Sequence, residues 1–297
     1  MDRKMLLLVA SILCWAATVS PASAQHFKRI PGSLAQVAAG RNEVWGLDAS
    51  SQVYRCNSGT TTFAKIPGTL KLTQIAVGGG TALQTDQVWG VDATGKIYKF
   101  NFKTNTFAHI PGTLAQIVVG DGDHDKCHPY EVWGLNAAEL IYRYNSCTSQ
   151  FEQVAGSLTV IATGSGSVWG LNSSAQIFNY DFSGPDWRQV AGSLQQITVG
   201  VDEVWGFDGN STLYEYSNTN GRFVSDITFP SPNLQIAAGG GGVWLAEREF
   251  VHRLDPFSGG FLIDLSLPSD VKQIAVGYGA GVWAINSSNQ IYTFVRP

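Results

Sequence analysis

Val88-Trp89-Gly90-Val91-Asp92-Ala93-Thr94-Gly95-Lys96-Ile97-Tyr98 is the stretch on which the fold turns. It holds two short runs of β-branched and aromatic residues around a turn of Asp, Thr and Gly, the pattern of a β-hairpin. The same hairpin recurs along the chain. Trp45, Trp89, Trp133, Trp169, Trp205, Trp244 and Trp283 are spaced by 44, 44, 36, 36, 39 and 39 residues, each after a Val. The second run recurs as Val53-Tyr54, Ile141-Tyr142, Ile177-Phe178, Leu213-Tyr214 and Ile291-Tyr292, with Val251-His252 in the sixth unit.

Two further elements complete the unit. An aromatic leads into Ile-Pro-Gly, as from Phe63 to Gly68 and from Phe107 to Gly112, and Leu-x-Gln-Ile-x-Val-Gly follows, as from Leu114 to Gly120. Four short strands repeated every 36 to 44 residues match a blade of a β-propeller. The Gln-Ile strand is expected at the central channel, where Ala and Gly let strands converge. The Trp and Tyr strands follow as a hairpin, and the Ile-Pro-Gly strand lies outermost. Pro31, Pro67 and Pro111 then sit on an edge, where a missing N–H is tolerated.

The ends of the chain decide the number of blades. Phe27 to Gly32 reads as an outer strand with no blade of its own, and Gln290 to Val295 as a third strand with no outer neighbour. Together they make a seventh blade, whereas six blades with loose ends would strand apolar residues at both termini. The expected fold is therefore all-β, a seven-bladed propeller whose last blade is closed by the N-terminal strand. Closure also removes edges that template aggregation.

Ahead of that strand, Arg3 and Lys4 precede an apolar run from Met5 to Val19, and Ala22-Ser23-Ala24 stands before Gln25. This is the layout of a secretory signal peptide, and the run is short of the roughly 20 residues of a spanning helix. Residues 1–24 are expected to be a leader and 25–297 a single propeller domain, secreted or periplasmic. No later segment is apolar for long enough to insert into a membrane.

Without the leader, 17 Lys and Arg stand against 22 Asp and Glu, a net charge of −5. No basic patch stands out in the chain, so nucleic acid is not an expected partner. The five His occupy non-equivalent positions, and no nucleophile elbow, phosphate loop or zinc helix is present. Neither catalytic residues nor cofactors are expected. Asp121 to His128 alternates acids like half a calcium loop, but the Gly and Glu of an EF-hand are missing. His124, Cys127 and His128 lack a fourth zinc partner. A solvated loop is the simpler reading, and no metal is assigned.

Within each unit the Trp reads as inter-blade core, filling space left by Gly on the next blade. Asp48, Asp92, Asn136, Asn172, Asp208, Glu247 and Asn286 begin the hairpin after each Trp strand. Asp and Asn start turns by bonding backbone two residues on. Their exchange between units argues against proton chemistry, since Asn is neither acid nor base. They still offer hydrogen bonds to a ligand hydroxyl. Of the three Cys beyond the leader, Cys127 and Cys147 fall on one propeller face when counted outward from the hairpin of Trp133, and a disulfide is expected there. Cys56 is left free in the third strand of its blade.

The units Ile-Pro-Gly-Thr-Leu-x-Gln-Ile-x-Val-Gly and Val-Trp-Gly-Val-Asp-x-x-x-x-Ile-Tyr resemble tectonin repeats, the units of tachylectin-type lectins. The resemblance is clearest from Ile30 to Gly206. Units six and seven depart from it, with Leu245 and Ala284 in place of Gly after Trp. The family's members usually carry six units and bind glycans, including bacterial lipopolysaccharide and methylated or N-acetylated sugars, at shallow sites between blades. The resemblance therefore implies a secreted carbohydrate-binding protein with several weak, equivalent glycan sites, and no enzyme. The residues it implicates are Tyr54 with Asp48, Tyr98 with Asp92, Tyr142 with Asn136, Asn172, and Tyr214 with Asp208. The alternatives are a protein-interaction scaffold, and a lyase or sensor propeller, which would need a His/Glu or metal cluster at the channel mouth.

Overall fold

A computed structural model describes residues 26–80, 85–122, 124–229, 234–254 and 261–295. The leader expected over 1–24 and Asp123 of the acidic loop lie outside them. Among the described residues, twenty-eight strands form seven four-stranded antiparallel sheets in strict up-and-down order. Blade 1 is typical, with strands Gln36–Ala39, Val44–Leu47, Val53–Asn57 and Thr62–Lys65 from the channel outwards. Blades 2 to 6 repeat this order over 74–113, 116–157, 160–193, 196–228 and 234–266. Blade 7 takes its first three strands from Val271–Val276, Val282–Asn286 and Gln290–Val295, and its outermost from His26–Ser33. The expected closure of a seven-bladed ring by the N-terminal strand is what the sheet pairing gives, with His26 opposite Val295 and Ile30 opposite Ile291.

The Pro-Gly of the outer strand sits where pairing slips. Register shifts between Ile30 and Ser33, and between Ile110 and Thr113, leaving Pro-Gly outside the ladder. The glycine there has φ of 110° at Gly32 and 112° at Gly112, a region that disfavours any side chain. Inner strands end in glycines that meet the next blade's backbone. A Cβ on Gly164 would fall 2.6 Å from the carbonyl oxygen of Gly200, so the channel lining converges as expected.

The seven repeat Trp residues are inter-blade core, each at most 3% exposed. Their partner differs from the expected one. Five of the seven, Trp45, Trp89, Trp133, Trp169 and Trp244, pack edge-on against an aromatic of the next blade's third strand, with ring centroids 4.6 Å apart for Trp45–Phe100, Trp89–Tyr144 and Trp169–Tyr216. The space over the glycine after Trp is filled instead by a linker leucine. A side chain on Gly46, Gly90, Gly134, Gly170 or Gly206 would collide with Leu34, Leu72, Leu114, Leu158 or Leu194 respectively. Each leucine comes from the linker that enters its own blade, and its N–H is tied to the preceding blade's hairpin, as in Leu72 to Ser51 O at 3.0 Å. Units six and seven repack here, with Leu245 against Phe229 and Ala284 in the cluster of Leu267.

The N-terminal strand contributes more than backbone pairing. Phe27 packs at 5.8 Å on Phe294 and 6.1 Å on Trp244, and Ile30 is 2% exposed. Burying such side chains is worth about 1.5–3 kcal/mol each. Deleting His26 to Gly32 should lower the melting temperature markedly and promote aggregation along the bared strand Gln290–Val295. Calorimetry with light scattering checks this, and an unchanged melting curve would count against closure.

Candidate functional site

In six blades the hairpin between second and third strands is held by its first residue, Asp48, Asp92, Asn136, Asn172, Asp208 or Asn286. Asp48 Oδ1 accepts the amides of Ser50 and Gln52 at 2.8 and 2.9 Å, while Oδ2 accepts the hydroxyl of Tyr54 at 3.2 Å. Asp92 does the same with Thr94, Lys96 and Tyr98, and takes the Thr94 hydroxyl at 2.7 Å. Asp208 repeats it with Asn210, Thr212 and Tyr214. The turn needs one left-handed residue, at φ 65° for Ser51, 83° for Gly95 and 62° for Ser211. The short Asp or Asn stabilises that bend by taking amides two and four residues on.

The structure thus brings Tyr54 to Asp48, Tyr98 to Asp92 and Tyr214 to Asp208. Asn136 also holds its turn, but its Nδ2 reaches the Tyr142 hydroxyl only at 3.5 Å. Asn172 lacks a tyrosine because Phe178 stands there, and its Nδ2 donates to Gln176 at 2.7 Å. All nine residues are half-buried. In blade 7 Asn286 is buried, and Tyr292, 3% exposed, turns its hydroxyl to Gln290. In blade 6 Glu247 pairs directly with Phe250 in a tighter turn.

Burial raises the tyrosine hydroxyls of residues 54, 98 and 214 above their ordinary value, and the facing carboxylate adds to the shift. Burial alone would also raise Asp92, but the bonds from Thr94, Lys96 and Tyr98 outweigh it and lower the group. The carboxylate is therefore a fixed, ionised acceptor. This arrangement orients a hydroxyl.

Two of the pairs, Tyr98 with Asp92 and Tyr214 with Asp208, border clefts between blades. A cavity of about 300 Å³ between blades 4 and 5 is bounded by Gly192, Ser193, Asp208, Asn210 and Tyr214. Its counterpart between blades 1 and 2, about 360 Å³, is bounded by Pro67, Gly68, Leu70, Tyr98 and Phe107. A third, of about 490 Å³, lies along the turn Asp92 to Gly95 against Thr113, Leu114 and Ala137. At the channel itself only about 80 Å³ is open, beside Arg41, Asp121 and Tyr278.

On the opposite face, Cys127 and Cys147 form the expected disulfide, with Cα atoms 5.0 Å apart. Trp133 pairs with Arg143, one residue beyond Tyr142. Asp125 accepts the Cys127 amide at 2.7 Å and faces His128 Nδ1 at 2.9 Å, so its carboxylate is spent on the loop. Sequence reasoning missed the pairs beneath this face. Glu43 takes Arg55 at 2.6 Å and the indole N–H of Trp45 at 3.1 Å, and Glu131 holds Arg143 at 2.6 Å and Trp133 in the same way. A Glu two residues before Trp with an Arg ten after it is the signal that finds them.

Three outcomes are expected of these groups. Asp208→Ala should cost about 1–2 kcal/mol through lost turn bonds, and Asp208→Asn clearly less, since the amide oxygen still accepts; urea unfolding reads the difference. Reduction of Cys127–Cys147, a loop of 20 residues, should cost about 3 kcal/mol by the same assay. Cys56 is free, and burial followed by the Glu43 charge pushes its thiol up to about 11. Alkylation of the native protein should be slow at pH 8 and accelerate as pH rises towards that value, since only the thiolate reacts.

The fold is shared with solved propellers of very different sequence. The structure of U3-55K superimposes with a TM-score of 0.68 at 8% identity, covering 93% of this chain and all of that one. The propeller domain of Cps50 (Swd1) from Myceliophteria thermophila gives 0.68 at 10%, over 92% and 100%. YCF48 bound to a D1 peptide gives 0.64 at 12%, over 92% and 97%. No curated protein sequence matches. The tectonin domain matches residues 33–248, from the first linker to the hairpin of blade 6, and the chain belongs to the tectonin-domain family.

Proposed function

We propose that the protein is an exported, non-catalytic lectin that holds glycans weakly at several equivalent clefts between blades. The observation that carries this reading is the pair of a half-buried tyrosine and a turn-fixed Asp, repeated in blades 1, 2 and 5, whose Tyr98 and Tyr214 open on clefts between blades. Sugars stack their C–H faces on aromatic rings and exchange hydrogen bonds through their hydroxyls, and each pair offers both surfaces. A preformed, half-apolar cleft with a few fixed polar groups is the usual form of a small-ligand site. The disulfide accords with an oxidising compartment, which the leader at residues 1–24 would reach.

Seven units do not give seven equal sites. Tyr54, Tyr98, Tyr142 and Tyr214 keep the full aromatic–hydroxyl set, whereas His252 and the buried Tyr292 do not present it. Blades 6 and 7 are therefore the weakest or empty.

A glycan array of the mature protein, followed by calorimetry on its hits, tests the reading. Free sugars should bind with constants on the order of millimolar to micromolar. Polymers that engage several clefts at once should gain roughly 10² to 10⁴ in avidity. Tyr98→Ala and Tyr214→Ala should each remove one site from the stoichiometry. A single tight site, or no glycan hit at all, would sink the multivalent lectin and favour a protein-interaction scaffold.

A further inference from the structure

The tyrosine of each cleft has one neighbour fixed by strand register. Residues directly opposite in an antiparallel pair project from the same face, Cβ atoms about 4.5–5.5 Å apart. Tyr54 faces Lys65, Tyr98 faces His109, Tyr142 faces Gln153, Phe178 faces Gln189 and Tyr214 faces Ser225. Tyr292 of blade 7 faces Arg29. Three consecutive blades thus place a basic side chain beside the aromatic, the next two an amide and the fifth a hydroxyl.

The cleft between blades 1 and 2 gathers the most positive charge. His109 lies edge-on to Tyr98, ring centroids 5.6 Å apart. Lys96, two residues before Tyr98, projects from the same strand face, where blades 3, 4 and 5 carry Leu140, Gln176 and Thr212. The linker at this cleft is longer than elsewhere. Three residues separate Gly68 from Leu72, against one between Gly112 and Leu114 or Gly192 and Leu194. Leu72 still fills the space over Gly90, so the extra residues leave Leu70 lining the cleft and Lys71 exposed beside it. The walls contain no carboxylate, and the nearby Asp92 is engaged by its own turn and by Tyr98. The equivalent cleft between blades 4 and 5 has Asp208 in its wall and Thr212 and Ser225 at the matching positions.

The sequence follows the same division. Residues 26–113 carry nine Lys and Arg against four Asp and Glu, and residues 114–295 carry seven against 18. Charges on outer strands also discourage edge pairing, which accounts for Arg29 and Lys65. Lys96 lies on a third strand, where that explanation does not reach.

We infer that the cleft between blades 1 and 2 takes an acidic saccharide, with the sugar face on Tyr98 and a carboxylate or sulfate ester held by Lys96, His109 and Lys71. The inference rests on the lectin reading and gives one cleft a ligand class the others do not share.

Calorimetry of the mature protein with trigalacturonate, a chondroitin 4-sulfate disaccharide and neutral chitotriose, at low and high salt, tests it. One of the two acidic probes should bind at least about fivefold more tightly than chitotriose at low salt, and the advantage should fade as salt screens it. Which probe gains tells carboxylate from sulfate recognition. Lys96→Gln combined with His109→Gln should remove the advantage while chitotriose binding persists. Lys103→Gln, in the turn at the opposite face, should change nothing. Equal binding of acidic and neutral probes, or an equal loss in Lys103→Gln, would overturn the inference and leave the lectin standing. Failure of all three probes to bind would overturn the inference, and the lectin reading would fall with it only if the glycan array is also empty.

Discussion

Gln273 reaches 236 positions back along the chain to Val37, accepting its N–H and donating to its carbonyl, both at 2.9 Å. A propeller stands only if its last blade meets its first, and this amide does for the inner rim what the N-terminal strand does for the outer one. The same residue recurs at the inner strand of other blades. Gln36 accepts the Ile75 amide, Gln74 both donates to and accepts from Ile117 at 3.1 and 2.8 Å, and Gln196 donates to Leu234. A side-chain amide presents one donor and one acceptor at the spacing of a peptide group, so each clamp extends backbone pairing sideways between sheets that share no ladder. Buried in part at a seam, such bonds also punish any slip in blade order by leaving polar groups unpaired.

Outside this inner ring the seams differ, and their differences bear on the clefts. Most blades join by Trp against an aromatic of the next third strand, but blade 1 offers Cys56 there, and Trp283 meets Phe63 at 5.6 Å instead. Blade 2 has Gln87 where blades 1 and 3 have Glu, and its basic partner Lys99 is left among Trp89, Tyr130 and Tyr144. Burial lowers the ammonium of Lys99 below its ordinary value.

Much of this was legible in the sequence because a repeat exposes its own logic. Seven Val-Trp pairs, alternating apolar runs and an unmatched strand at each end sufficed for blade count and closure. Asp48 and its equivalents could be placed at turns from residue type alone, and Cys127 could be set opposite Cys147 by counting. The partners of the repeated residues could not. Leu34 and Leu72 fill the space over glycine because linkers fold back across the next hairpin, which no local pattern records. The clustering of Lys96, His109 and Lys71 was invisible for another reason. Their separation of up to 38 residues is erased only by the pairing of Tyr98 with His109 and by the longer linker at that cleft.

The positions that vary between blades are the ones the fold does not use. Trp, linker leucine, clamp glutamine and turn Asp or Asn are nearly constant because each closes a seam or a hairpin. The residue opposite the tyrosine, by contrast, runs through Lys, His, Gln, Gln and Ser from blade 1 to blade 5 with no change in register, since its side chain leaves the outer strand towards solvent. A closed ring of this kind separates scaffold from specificity residue by residue. The aromatic floor and the fixed acceptor are set by folding, and the charge at the rim of each cleft is free to diverge. On the lectin reading, recognition would change one cleft at a time without disturbing the clamps on which the ring depends.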